Sequence, residues 1–183
     1  MISLVGMPGS GKSTVGRHVA RHLGLPFFDS DHVIEQRIGC SIRAYFESHG
    51  EPAFRDVEAQ VIADLIRPGP GAVVATGGGA VLRDANREAL HAHSTVFYLR
   101  STPEDLARRL RHDTHRPLLQ GSSDPLKRLR TLYQERDPLY RRCAHYVIET
   151  GRPSVHTLVS MVLMQIELAG LLPDAPKAPP PHP

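Results

Sequence analysis

The sequence predicts one α/β domain, a parallel sheet with helices on both faces built around a phosphate-binding loop. Three observations support this. Short apolar runs alternate with longer stretches of helical periodicity. The first run leads directly into Gly6-Met7-Pro8-Gly9-Ser10-Gly11-Lys12-Ser13, which satisfies the pattern G-x-x-x-x-G-K-[ST]. A chain of 183 residues, 40% hydrophobic and 22% charged, is also the size of one ordinary globular domain rather than two.

Taken in order, Ile2-Ser3-Leu4-Val5 reads as a buried strand ending at a glycine. Val15, Val19, Ala20 and Leu23 then recur at helical spacing until Gly24 stops the helix. Pro26-Phe27-Phe28-Asp29 is a second short strand with its polar residue at the end. From about Asp31 to Ile66 the chain is mostly helical, with breaks expected near Gly39-Cys40 and His49-Gly50. Ala72 to Ala75 is a third strand, running into Thr76-Gly77-Gly78-Gly79, and Val96 to Leu99 a fourth. Thr102-Pro103-Glu104-Asp105 starts a helix, Tyr146-Val147-Ile148 makes a fifth strand, and Val155 to Leu168 a last helix. Residues 1–172 are expected to form the domain. A loop over 112–124, polar and containing Gly and Pro, has the composition of a lid over a site. The segment 173–183 carries six of the sixteen prolines and no apolar periodicity, the composition of a disordered tail.

Composition narrows the function classes. No apolar run approaches the ~20 residues of a membrane span, and the first residues lack the basic flank and apolar stretch of a signal peptide. The two cysteines, Cys40 and Cys143, are far apart, which together with the rest points to a reduced, cytoplasmic setting. A net charge of +3 fits either nucleic acid or an anionic small molecule. Nucleic-acid surfaces interleave basic side chains with stacking aromatics, and here aromatics are 5% with no tryptophan. The eleven histidines are scattered, without a His-x-x-x-His pair at metal-binding spacing. Neither a nucleic-acid nor a membrane partner is expected, and the protein is expected to be a monomer.

The phosphate loop supplies the nucleotide side of the chemistry. Its glycines let backbone N–H groups wrap a phosphate, and the helix that follows adds positive potential. Gly9, Ser10, Gly11, Lys12, Ser13 and Thr14 are the candidate ATP contacts, Lys12 reaching the β- and γ-phosphates and Ser13 ligating Mg2+. The third strand ends in Ala75-Thr76, without the aspartate that many such enzymes use for magnesium. That shifts the metal role to Asp29, acting through water, and argues against a signalling GTPase, as does the lack of an Asn-Lys-x-Asp motif.

The acceptor side rests on residues that are ambiguous one at a time. Asp29-Ser30-Asp31 follows a strand at the sheet edge where ligands sit, so Asp31 is a candidate for a substrate hydroxyl; alternatively Asp31 or Ser30 caps the next helix. Arg55 and Glu58, three apart on a helix, make either a preorganised fork for an anion or an ordinary solvated pair. Gly77-Gly78-Gly79 permits close backbone approach to a ligand, or is a flexible turn. Arg116, in the loop, and Arg136, expected at a helix end, are candidate anion binders that alone would pass for surface charges.

The ordered set resembles the shikimate kinases. The resemblance rests on the phosphate loop, Asp29-x-Asp31, Gly50-Glu51-x-x-Phe54-Arg55-x-x-Glu58, Gly77-Gly78-Gly79, Arg116-Pro117-Leu118-Leu119 and Arg136-x-Pro138-Leu139-Tyr140, spanning residues 2–150. It implies a P-loop kinase fold similar to the nucleoside monophosphate kinases, with a helical substrate-binding segment at about 31–62 and a mobile lid. It also implies transfer of the ATP γ-phosphoryl to the 3-hydroxyl of shikimate, on the route to chorismate. On that resemblance Asp31, Arg55, Gly77, Gly78, Gly79 and Arg136 are the shikimate contacts, with Arg55 and Arg136 on the carboxylate. Lys12, Asp31 and Arg116 are the catalytic residues, and Arg109 and Pro153 flank the adenine. Another sugar-acid kinase, such as a gluconate kinase, shares the loop and the carboxylates, but the glycine triplet with Arg55 and Arg136 disfavours it. A non-catalytic nucleotide sensor would bind ATP without turning over any hydroxy acid.

The tail makes the first testable demand. Deleting the chain from Pro173 is expected to leave the melting temperature and turnover close to those of the full chain. A drop of several degrees on thermal melting would show that the segment docks.

Overall fold

Five parallel strands lie in the order β2-β3-β1-β4-β5, and each follows from an apolar run in the sequence. The computed structural model describes residues 1–110 and 124–171. The expected lid therefore lies outside the described residues except for Asp124, and the tail lies outside them entirely. The strands are β1 (Ile2–Val5), β2 (Phe27–Asp29), β3 (Val73–Ala75), β4 (Thr95–Arg100) and β5 (Tyr146–Glu149). All four residues of β1 and all three of β3 are buried, as central strands covered on both faces must be. The chain runs outward from β1 to β2, returns to β3, then crosses β1 to β4, leaving a crevice beyond the carboxyl end of β1.

Helices α1 (Lys12–Leu23) and α7 (Val155–Leu168) cover one face, packing Val15, Val19, Val162 and Ile166 on Leu4, Phe97 and Ile148. The other face carries α4 (Asp84–His93), α5 (Pro103–Leu110) and α6 (Pro125–Cys143), which bury Leu90, Leu106, Leu129 and Tyr140 against Val5, Val96 and Tyr98. A smaller cluster of Ile34, Phe54 and Val61 joins α2 (Ser30–Ile38) to α3 (Ile42–Leu65). No helix among the described residues is long and apolar enough to cross a membrane.

The helix ends follow local chemistry. Gly24 closes α1 in the left-handed conformation, its N–H reaching Ala20 O and Arg21 O. Ser41, Asp124 and Ser154 cap α3, α6 and α7 by accepting the N–H of Ala44, Lys127 and Thr157. Gly50 kinks α3 at φ 79 and ψ 170, two residues before Pro52, which is the break the sequence predicts there. Two readings are corrected. Arg136 is not at a helix end but in the body of α6, which runs on to Cys143 because Pro138 is accommodated inside it. The cap of α2 is neither Asp31 nor Ser30 but Asp29, whose carboxylate accepts the Asp31 N–H at 3.1 Å.

Gly16, in the middle of α1, sets how closely that helix meets the sheet. A Cβ there would stand 2.7 Å from Phe27 and 3.0 Å from Leu4. Gly16→Val is therefore expected to lose stability by about 1–3 kcal/mol from overpacking, despite replacing a poor helix former. The shift of the urea midpoint reports it, and an unchanged or raised midpoint would show that α1 can move away from the sheet.

Candidate functional site

Parallel strands place their carboxyl ends on one edge, so the turns after β1, β2 and β3 meet there. The turn after β1 is the phosphate loop. Gly9 and Gly11 hold φ of 86 and 93, values that side-chain-bearing residues avoid, and α1 starts directly at Lys12. The loop's N–H groups and the N-terminus of α1 thus form a seat for an anion. Lys12 is buried, and its ammonium donates to Gly6 O and Met7 O, both at 2.9 Å, which holds it at the mouth of the loop. Ser10 is buried beside it with its hydroxyl unpartnered, whereas Thr14 is exposed.

Ser13 donates to Asp29 Oδ2 at 2.5 Å, joining the end of the loop to the end of β2. The other oxygen of Asp29 is the cap of α2, so one carboxylate serves both strand and helix. A hydroxyl and a carboxylate at this spacing are hard oxygen donors of the type Mg2+ takes while keeping several waters. No group of three His, Cys, Asp or Glu that could hold a metal ion occurs among the described residues.

Asp31, two residues on, faces the same crevice. Its carboxyl is open to water on one side but walled by protein on the others, and its pKa is pushed up to about 6. Burial is the largest cause, joined by the charges of Asp29, Glu58 and Glu35 and opposed by Lys12. This is an aspartate poised to change protonation state near neutral pH.

The glycine triplet is where these parts touch. A Cβ on Gly77 would stand 2.5 Å from Asp31 Oδ1 and 3.2 Å from Glu58, and one on Gly78 would stand 2.7 Å from Pro8 of the phosphate loop. One on Gly79 would collide with the Arg55 guanidinium. Gly77 N–H also donates to Ser30 Oγ at 2.9 Å. The triplet is close packing, not a flexible turn.

Arg55 is no solvated helix residue. It is 13% exposed, donates to Glu58 at 2.7 Å and to Glu51 at 3.0 Å, and lies over Phe54 and Phe46. Burial works against its charge, and Glu58 and Glu51 more than restore it. Glu58 is 1% exposed, and burial raises its carboxyl above the ordinary range against the pull of Arg55, Arg136 and Arg83. Three guanidinium groups thus act on one buried carboxylate, with Arg55 bonded to it directly. Arg136 faces this cluster from α6, and its Nε is buried with no hydrogen-bond partner. A buried unpaired donor is costly, and a bound acceptor would offset that cost.

Arg109 lies on the far side of the crevice, donating to Thr150 O and reaching Ser101 Oγ at 3.5 Å. That brings α5 against the half-buried Pro153 segment that follows β5. Arg116 falls outside the described residues.

The family model for shikimate kinase matches residues 8–167. The chain belongs to the shikimate kinase family. A shikimate kinase of Paracidovorax citrulli is 58% identical over 177 residues, covering 96% of each chain. The solved structure of a shikimate kinase from Acinetobacter baumannii in complex with shikimate is 44% identical, covers 94% of each chain and superposes with a TM-score of 0.85. A gluconokinase from Sinorhizobium meliloti, at 21% identity, 93% and 92% coverage and a TM-score of 0.57, shares the fold alone. Membership makes the protein a kinase with the P-loop fold that the sequence predicts.

The family motifs left several positioning side chains without a stated role. Pro8, Ser30 and Tyr140 touch the site cluster and Arg83 acts on it by charge; the first three lie in motifs the sequence singles out, whereas Arg83 carries no sequence signal.

Asp31 makes a prediction about stability. The folded protein holds the Asp31 proton more tightly than an unfolded chain, with a pKa of about 6 against an ordinary 3.8. Ionising it therefore costs stability as pH rises through this window, and the cost is fully present above pH 6. Asp31→Asn, which cannot ionise, is expected to melt a few degrees above the native protein at pH 7.5, less than a dry site would give because water screens the carboxylate. The gap should close by pH 4. A mutant that melts lower at pH 7.5, or by the same margin at both values, would contradict the assigned cost.

Proposed function

We propose that the protein transfers the γ-phosphoryl group of ATP to the 3-hydroxyl of shikimate, giving shikimate 3-phosphate and ADP. The observation that carries this reading is the buried, unpartnered Arg136 Nε beside the Arg55–Glu58 pair, facing the same crevice as Asp31 and the phosphate loop. A cyclic acid needs a carboxylate clamp at one end and a hydroxyl acceptor near the phosphates at the other. These residues supply both.

Arg55 and Arg136 grip the shikimate carboxylate through charge-assisted hydrogen bonds, with Glu58 orienting the first. Gly77, Gly78 and Gly79 let the ring approach the backbone. Asp31 accepts a hydrogen bond from the reacting hydroxyl and takes its proton as the new P–O bond forms and the bond to the β-phosphate breaks. Its carboxylate is ionised above about pH 6, so the proton has a place to go at neutral pH. Lys12 neutralises charge on the transferring phosphoryl, where interactions stronger in the transition state raise turnover. Gly9, Ser10, Gly11 and Thr14 complete the nucleotide seat, and Arg109 with Pro153 flanks the adenine. Arg116, outside the described residues, keeps the phosphate-stabilising role that the family resemblance gives it. Ser13, with Asp29 through water, would hold Mg2+, which supplies charge neutralisation for the β- and γ-phosphates when bound. The protein is read as a cytoplasmic monomer.

A coupled ADP-release assay with shikimate, quinate and gluconate tests the substrate. Turnover is expected with shikimate and not with gluconate; preference for gluconate would overturn the assignment. Arg55→Lys and Arg136→Lys keep the charge but lose the planar fork. Each is expected to raise the KM for shikimate roughly ten- to a hundredfold while leaving the KM for ATP nearly unchanged. Equal KM values in mutant and native enzyme would remove the carboxylate clamp.

A further inference from the structure

The three glycines after β3 are bare for reasons of space, not of conformation. None of them holds a positive φ, yet a Cβ on each would collide with a neighbour. Their bareness leaves the backbone free to turn, and the peptide plane between two glycines can rotate while both Cα atoms stay in place. Packing of Gly78 on Pro8 and of Gly79 on Arg55 restrains those Cα positions but not the plane between them.

One hydroxyl holds that plane. Tyr140 Oη donates to Gly78 O at 2.5 Å from a side chain that is itself fully buried. Its ring stacks on Tyr98, with centroids 4.9 Å apart, and the Tyr98 hydroxyl donates to Asp137 Oδ1 at 2.8 Å, so the donor is fixed in place. One residue earlier, Ser30 Oγ accepts the Gly77 N–H at 2.9 Å, and the Ala80 N–H closes on Gly77 O at 3.1 Å. The peptide joining Gly78 to Gly79 is trans, so its N–H points opposite to its carbonyl and away from Tyr140. That N–H has no acceptor among the described residues, and it belongs to the glycine packed against the Arg55 guanidinium.

We infer that Tyr140 is a positioning residue of the acceptor pocket that acts through main chain: its hydroxyl locks the peptide between Gly78 and Gly79, so that the Gly79 N–H is held as a donor for the acid bound beside Arg55. The inference rests on the proposed acceptor. Removing the hydroxyl lets the peptide plane turn and costs the acid one preset donor, while the nucleotide seat is untouched.

The experiment compares native enzyme with Tyr140→Phe, varying shikimate and ATP separately. The KM for shikimate is expected to rise roughly five- to tenfold, the size of one lost hydrogen bond, with the KM for ATP within about twofold of native. The melting temperature is expected to stay close to native, because the ring still fills the core and the half-buried Gly78 can take water on its carbonyl. Amide NMR reads the peptide itself. In native enzyme the Gly79 N–H resonance is expected to move downfield when shikimate binds without nucleotide, and in Tyr140→Phe that shift is expected to shrink. Four results overturn the inference: an unchanged KM for shikimate, both KM values rising together, a collapse of the melting temperature, or a native Gly79 resonance indifferent to shikimate. If native enzyme fails to use shikimate, the proposed function falls and this inference with it. If native enzyme is active and Tyr140→Phe matches it, this inference falls alone.

Discussion

Three adjacent positions that cannot accept a side chain hold the site together. Gly77, Gly78 and Gly79 follow β3, and each stands against a different element: the Asp31 carboxylate at the start of α2, Pro8 of the phosphate loop and the Arg55 guanidinium on α3. The contacts are too short for one Cβ among them, so the substrate-binding helices can close on the sheet only because the turn is bare. The same backbone contributes bonds as well as space, since Gly77 N–H donates to Ser30 and Gly78 O accepts from Tyr140. Asp31, the phosphate loop and Arg55, the acceptor, phosphate seat and clamp of the proposed function, are therefore all referenced to one short stretch of main chain. Errors in their relative placement are kept small, which is what in-line transfer between two bound substrates demands.

Charge placement explains why this packing serves binding rather than stability. Glu58 is almost wholly buried, and alone it would be costly; Arg55, Arg136 and Arg83 offset that cost. Arg55 is also paired with Glu51 and Arg83 with Asp56, and the Arg136 Nε is the donor left over. Asp31 shows the complementary bargain. It is raised to about 6 by burial and by the negative charges of Asp29, Glu58 and Glu35, so its ionised form works against folding while suiting it to accept a proton. Lys12 lessens that strain, and it links the acceptor aspartate electrostatically to the phosphate loop.

What the sequence made legible was the part encoded locally. Strands, the breaks at Gly39 and Gly50, and the phosphate loop depend on neighbours a few residues away, and they fall where periodicity and turn chemistry put them. The readings that stayed open depended on distant partners. Nothing near Arg55 in the chain says that Glu58 is buried, because its neighbours include the distant turn at Gly77, after β3. The bareness of the triplet likewise has no local cause; its partners lie at positions 8, 31 and 55. Arg136, expected at a helix end, lies in the body of α6, which absorbs Pro138 and continues to Cys143. Asp29, assigned to the metal alone, also caps α2.

The two halves of the site differ in how they are built. The nucleotide half is made mostly of main chain, with glycines at positive φ, a helix N-terminus and carbonyls that hold Lys12. Any chain with the same strand–loop–helix can reproduce it, which is why a fold shared at 21% identity says little about the acceptor. The acceptor half is made of side chains from α2, α3 and α6, fixed by side-chain bonds such as Arg55 to Glu58 and Tyr98 to Asp137. Each of those bonds requires a particular residue at a particular position, and under the proposed function substrate choice resides in this half. A guanidinium has several rotamers of similar energy, and presenting one N–H to a carboxylate requires removing the others. Arg55 is restricted in that way by its bonds to Glu58 and Glu51, which move part of the ordering cost from binding to folding.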